Sequence, residues 1–171
     1  HAGKYINSNP EGAGDDYIPP GWDAWHGHIT TLQDERYYKY WVNDNRDVVF
    51  HGVTPEDYSA DVETARAVEF IRATAGPPEP IFLLLGPEAP HIPSNPAERH
   101  AGEFRDEEAP RVPSFNVAVP ERGWASLLPA EVTSLDDLAR RRMRCMSSVN
   151  AMIDAVVPAL ADPGRLERPY I

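Results

Sequence analysis

Between positions 80 and 96 the chain reads PIFLLLGPEAPHIPSNP. Residues 81–85 are apolar without interruption and are bracketed by glycine and proline. A run that short and that apolar predicts a strand covered on both faces, the kind found in parallel sheets. The helix before it is equally legible. Thr54 is placed to cap it, Pro55 suits its first position, and Asp57 suits the third, where a carboxylate accepts from free amides. Tyr58, Val62, Ala65, Val68 and Ile71 recur at spacings of three and four and predict one apolar stripe. Gly76, Pro77 and Pro78 are expected to end that helix.

The remaining segments follow the same logic. Residues 1–7 predict the end of a strand. Residues 8–35 read mostly as loop, because Asn9-Pro10, Gly12, Gly14 and Pro19-Pro20-Gly21 all interrupt regular structure. Residues 36–52 predict a β-hairpin folded around Asn43-Asp44-Asn45. Residues 86–133 are long and irregular, with a short turn expected over 97–104; such length in a compact domain points to a functional loop or to disorder. Ser134 is placed to cap a second helix, with Asp137 at its third position and Leu138, Cys145, Val149, Met152 and Val156 along its apolar side. Pro158 is expected to kink or end it. Asp162-Pro163-Gly164 predicts a turn, and residues 168–171 the start of another strand. The order helix, strand, long loop, helix, strand defines an α/β chain.

Composition narrows the function classes. Apolar residues make up 42% of the 171, enough for a core, and the 18 prolines are dispersed rather than repeated. The formal charge of -11 argues against nucleic-acid and anionic-membrane partners, which require clustered positive charge. No apolar run approaches the roughly 20 residues that span a bilayer, and the opening residues do not form a signal peptide. The single cysteine, Cys145, has no internal disulfide partner and reads as a small buried helix residue.

In open α/β sheets ligands bind beyond the carboxyl ends of strands. His91 lies just past such an end, on a loop stiffened by Pro87, Pro90 and Pro93. It is either a functional imidazole held in place by that loop or a histidine packed under its prolines. His26-Gly27-His28 offers two imidazoles without a clear third ligand, a weak metal signal. Trp22, Trp25 and Tyr17 could stack on a sugar ring or form a local aromatic core. Arg140, Arg141, Arg142 and Arg144 fall on several helix faces and predict surface ion pairs with nearby acids rather than an anion site. Residues 105–110 predict a solvated loop.

The stretches GKYIN, PPGWDAW, YYKY, EDYSADVETARAVEFI, APHIP, APRVPSFN and RRRMRCMSSVNAMI occur in this order. Together they resemble the middle of a type I sulfatase, nearest the N-acetylglucosamine-6-sulfatase and heparan 6-O-endosulfatase branch. The resemblance runs from Gly3 to Ile171. It implies an alkaline-phosphatase-like fold, represented in part: a mixed sheet flanked by helices, with long irregular loops. It implies hydrolysis of a sulfate ester by a formylglycine hydrate, with a calcium ion polarising the sulfate. Within that resemblance Lys4 matches the lysine of the G-K motif, whose ammonium suits a tetrahedral anion. His91 matches the histidine of A-P-H-x-P, the general acid to the leaving alkoxide. Asn7 matches the asparagine of G-K-Y-x-N, which orients the lysine, contacts substrate or shapes a turn. Trp22 is the aromatic assigned to substrate contact.

The departures from the family pattern are informative. Formylglycine forms within C/S-x-P-x-R, and Cys145 is followed by Met146, Ser147, Ser148 and Val149. It is therefore not the nucleophile. The family's calcium ligands fall outside the matched positions, so no metal ligand is assigned here. Asn150-Ala151 stands where Asp-Asp is usual, and Ala60 replaces a common threonine. The expectation is that residues 1–171 are the interior of one sulfatase domain, truncated at both ends and inactive alone. Its partners would be a sulfated carbohydrate and the remainder of that domain, in a secreted, periplasmic or lysosomal setting. Two rivals stand beside it: a non-catalytic sugar- or anion-binding remnant, and a phosphodiesterase or phosphonate hydrolase of the same superfamily.

Overall fold

The structure, a computed structural model, describes residues 1–32, 35–74 and 80–161. Five strands and two long helices follow in the order β1 (Ala2–Gly3), β2 (His26–His28), β3 (Tyr40–Asp44), β4 (Asp47–His51), α1 (Ser59–Ala73), β5 (Leu85–Gly86) and α2 (Pro129–Ala161). The strands form one mixed sheet in the order β4-β3-β2-β1-β5. β1 runs parallel to both β2 and β5, whereas β2–β3 and β3–β4 are antiparallel. The expected α/β class, mixed sheet and long loops are all present. No helix among the described residues is long and apolar enough to cross a membrane.

The hairpin of β3 and β4 turns at Asn45-Arg46, two residues later than the centre of the expected turn. Both residues have positive φ, 52° and 83°, as a two-residue turn matched to strand twist requires. Asparagines hold this turn to the rest of the chain. The Trp25 amide donates to Asn45 Oδ1 at 2.8 Å, and Asn43 Nδ2 donates to the Tyr17 carbonyl at 2.9 Å. The segment before β2 is thus pinned to the hairpin. That long-range pinning lets a strand form inside a stretch that reads locally as loop.

The capping chemistry of Thr54 serves a single 3-10 turn, Pro55–Asp57, before α1 begins. Asp57 Oδ2 accepts from both the Thr54 amide and its hydroxyl at 2.9 Å. The buried face of α1 is Ser59, Ala60, Glu63, Ala67 and Ile71; of the expected stripe Tyr58 and Ile71 are buried, Val62 and Val68 half-buried, and Ala65 exposed. An apolar pattern cannot register a buried glutamate, so the stripe appears rotated in sequence. α2 starts at Pro129, five positions before Ser134, and its first turn is closed by Glu131 accepting from the Leu128 amide at 2.7 Å. Ser134 instead donates to the Ala130 carbonyl one turn back. The helix also continues through Pro158 to Ala161 rather than ending there. Tyr37, Tyr58, Ala60, Ala97, Cys145 and Met152 form the core between the two helices and the loops.

The run at 81–85 departs most from expectation. Only Leu85 joins the sheet, and β5 is its edge rather than its centre. Phe82 and Leu84 are exposed, while Ile81, Leu83 and Leu85 are half-buried. That alternation marks a strand covered on one face. The helix end at Gly76-Pro77-Pro78, the turn at 162–164 and the strand at 168–171 lie outside the described residues.

β1 and β5 approach closely because both are closed by glycine. Gly3 has φ +101°, and a Cβ there would overlap the Gly86 carbonyl oxygen and crowd the Glu63 carboxyl. We predict that Gly3→Ala costs about 3 kcal/mol or more, since the overlapped atom is backbone and cannot swing away. Gly12→Ala, also at positive φ but in open space, should cost only about 1 kcal/mol. Denaturant titration of the two variants beside the parent checks the difference.

Candidate functional site

Lys4 and His91 leave the carboxyl ends of two adjacent parallel strands. The Lys4 amide donates to the Gly86 carbonyl at 2.7 Å, extending the β1–β5 ladder by one bond. From Gly86 the chain turns through Glu88 into the proline loop. The His91 amide donates to the Glu88 carbonyl at 2.8 Å, and the Ser94 amide donates to the His91 carbonyl at 3.0 Å. The Tyr37 hydroxyl also donates to the His91 carbonyl, at 2.5 Å. The backbone at position 91 is therefore fixed from two sides while the imidazole stays exposed. Nδ1 lies 2.6 Å from the Ile92 carbonyl, which accepts a hydrogen bond from it and leaves Nε2 as the other ring nitrogen.

Beneath this edge lies a buried charge cluster that sequence reading missed. His28 on β2 is fully buried. Its Nε2 lies 3.0 Å from Glu63 Oε1 on α1, and its Nδ1 lies 3.7 Å from Glu88 Oε1. Arg36 reaches Glu88 Oε2 from the surface at 3.0 Å. Burial opposes the charged form of His28, but hydrogen bonds and charge from the two glutamates prevail and hold its pKa up at about 9. Burial also opposes the charged form of Glu88, yet His28, Arg36 and Lys4 bring it down to about 2. Glu63 moves the other way: burial raises it more than His28 lowers it. His26, on the same face of β2, is kept down at about 3 by burial and then by the charge of His28. Burial and charged neighbours thus drive the two histidines of His26-Gly27-His28 in opposite directions. A glutamate on a predicted helix and a histidine between Gly27 and Ile29 were the sequence signals of this cluster.

The other sequence candidates are distributed as follows. Trp22 is half-buried in an aromatic cluster, stacked on Phe82 with centroids 5.8 Å apart and near His1 and Trp25. Asn7 is exposed on the turn after Lys4. Cys145 is buried against Tyr37 and Tyr58, and burial pushes its thiol pKa up. Arg140 pairs with Asp137, but the helix arginines mainly hold the long loop. Arg140, Arg141 and Arg144 donate to the carbonyls of Glu107, Pro93 and Glu103 at 2.7, 3.1 and 2.7 Å. Residues 105–108 are exposed, as a solvated loop should be.

Lys4 and His91 each follow the carboxyl end of one of two neighbouring parallel strands, the side on which open α/β sheets bind ligands. The comparisons with known proteins agree on the class. The chain is 31% identical to an extracellular sulfatase Sulf-1 homologue of Caenorhabditis elegans and 27% identical to human N-acetylglucosamine-6-sulfatase, in each case over 99% of its length. It is 33% identical over 76% of its length to the sulfatase ppz1 of Metarhizium majus. Over nearly its whole length the chain is a homologue of the sulfatases, and it spans 24 to 33% of the length of these three relatives. The homologues imply the alkaline-phosphatase-like fold, of which this sheet and its two helices are a part. No family model and no solved structure matches the chain.

The cluster makes stability depend on pH with a defined sign. The contribution of His28 is complete below its ordinary value of 6.5 and is lost as pH rises through about 9. That of Glu88 is complete above its ordinary 4.5 and is lost as pH falls towards about 2. Glu63, raised by burial, begins to weaken the fold as pH climbs above its ordinary 4.5. We predict that the thermal midpoint falls between about pH 6 and pH 9, and that His28→Gln is less stable at about pH 6 and flattens this slope. Calorimetric scans across that range check it.

Proposed function

We propose that this chain supplies the substrate-side groups of a site that hydrolyses sulfate esters of sugars. In this reading the Lys4 ammonium binds the sulfate, and His91 Nε2 delivers a proton to the departing sugar oxygen. Asn7 and Trp22 face the substrate's surroundings. The observation that carries the reading is the pairing of β1 with β5, which brings the lysine and histidine matched by the sulfatase pattern to one end of one sheet. A compact ammonium suits a tetrahedral anion because it accepts any approach direction, unlike a planar guanidinium. The exposure of the imidazole above a fixed backbone suits proton delivery.

The family's two reactive groups find no seat among the described residues. No three His, Cys, Asp or Glu side chains are grouped to hold a metal ion. The buried Cys145 thiol lies outside any C/S-x-P-x-R sequence. In this reading other parts of such an enzyme supply calcium and formylglycine, and the segment alone is expected to bind but not to turn over.

General-acid catalysis has a distinctive signature. In the full-length protein, His91→Ala should lower kcat on a sulfated sugar by about 100-fold or more. It should lower kcat far less on an aryl sulfate, whose leaving phenolate needs little protonation. Lys4→Ala should reduce kcat/KM on both substrates, and Lys4→Arg should not restore it. Equal loss on both esters for His91→Ala would remove the acid assignment. Full activity in both alanine variants would remove the site.

A further inference from the structure

The loop that carries His91 is anchored at Glu88, a residue absent from every role assigned above. Glu88 is only 3% exposed, although it follows the edge strand of the sheet and sits two residues beyond Gly86. Its carboxylate is held from three directions. His28 on β2 faces Oε1, Arg36 donates to Oε2, and the Lys4 charge on β1 acts on it through space. Glu63 on α1 faces the far nitrogen of His28, so the helix is drawn into the same set. Tyr40 on β3 stacks on the His28 ring at 4.9 Å and closes the remaining side. The main chain of Glu88 is engaged as well, since its carbonyl accepts from the His91 amide.

We infer that Glu88 is the positioning residue of the proposed site: its clamped carboxylate fixes the bend that presents His91. The inference rests on the sulfatase reading for what His91 does. It stands apart from that reading for what holds it. A carboxylate buried against one imidazolium and one guanidinium cannot move without leaving the Arg36 charge unmatched and His28 with Glu63 alone. A displacement of His91 by about 1 Å is enough to lose about 100-fold in rate.

The test compares Glu88→Gln, which keeps shape and removes charge, with Glu88→Asp, which keeps charge, in the full-length protein. Two readouts are taken: turnover of a sulfated monosaccharide, and hydrogen exchange of the His91 amide, which needs no turnover. The expected result for Glu88→Gln is a fall in kcat of about 10- to 100-fold with KM within about threefold, and at least about tenfold faster exchange at His91. Glu88→Asp should recover part of both. If the glutamine variant does not fold, Arg36→Gln, which removes the half-exposed arm of the clamp, is read in the same way. Unchanged exchange at His91 overturns the inference. Faster exchange with unchanged kcat also overturns it, provided His91→Ala is inactive in the same assay. If His91→Ala is fully active, the sulfatase reading has failed, and exchange alone then decides whether Glu88 holds the bend.

Discussion

An imidazolium removed from water is costly by several kcal/mol unless opposite charge is brought to it. In this chain His28 is enclosed completely, and the fold meets that demand by bringing a carboxylate from α1 and another from the loop after β5 to the two sides of one ring. The sheet, the helix above it and the loop after β5 are therefore coupled through a single imidazole ring. Packing alone would let α1 rotate on the sheet. The Glu63 carboxyl, buried and directed at His28, sets which face of the helix points inward.

The same cluster lies against the paired strands β1 and β5, with the Glu63 carboxyl close to Gly3. At positions 3 and 86 a Cβ would overlap the backbone of the other strand. The sulfatase-like G-K pair thus has a structural half and a proposed chemical half: the glycine permits the pairing, and the lysine follows it. At His91 the division is similar. The main chain is held by Glu88, Tyr37 and Ser94, and Arg141 on α2 grips the adjoining Pro93 carbonyl. The side chain is left to face outward. A reactive group on a loop gains the precision of one on a strand when its backbone is restrained this way.

Much of this was legible locally. Two β-branched and aromatic runs separated by asparagines specify the hairpin, and Thr54 and Asp57 specify a capped turn, because each depends on neighbours a few residues away. The resemblance to sulfatases likewise rested on ordered short motifs, and the relatives at 27 to 33% identity support it. Strand β2 was not legible, since it is created by pairing with β1 and by the Asn43 and Asn45 bonds to residues 17 and 25. The rotated face of α1 was hidden because Glu63 counts as polar in any periodicity. The early start of α2 was hidden because a proline followed by a glutamate two positions later competes poorly, on paper, with a serine cap.

The sequence by itself determined the local chemistry: a lysine after a glycine at a strand end, a histidine among prolines after an apolar run, and a cysteine in a setting that excludes it as nucleophile. These follow from the identities of adjacent residues, which the chain carries into any fold. Only the tertiary structure decided that the apolar run ends the described sheet beside β1, and that His28 lies between Glu63 and Glu88. Arg36 and Glu88, 52 positions apart, meet across that fold. Such pairing is governed by topology and by the cost of leaving a buried charge unmatched, and neither is written in any short stretch of the chain.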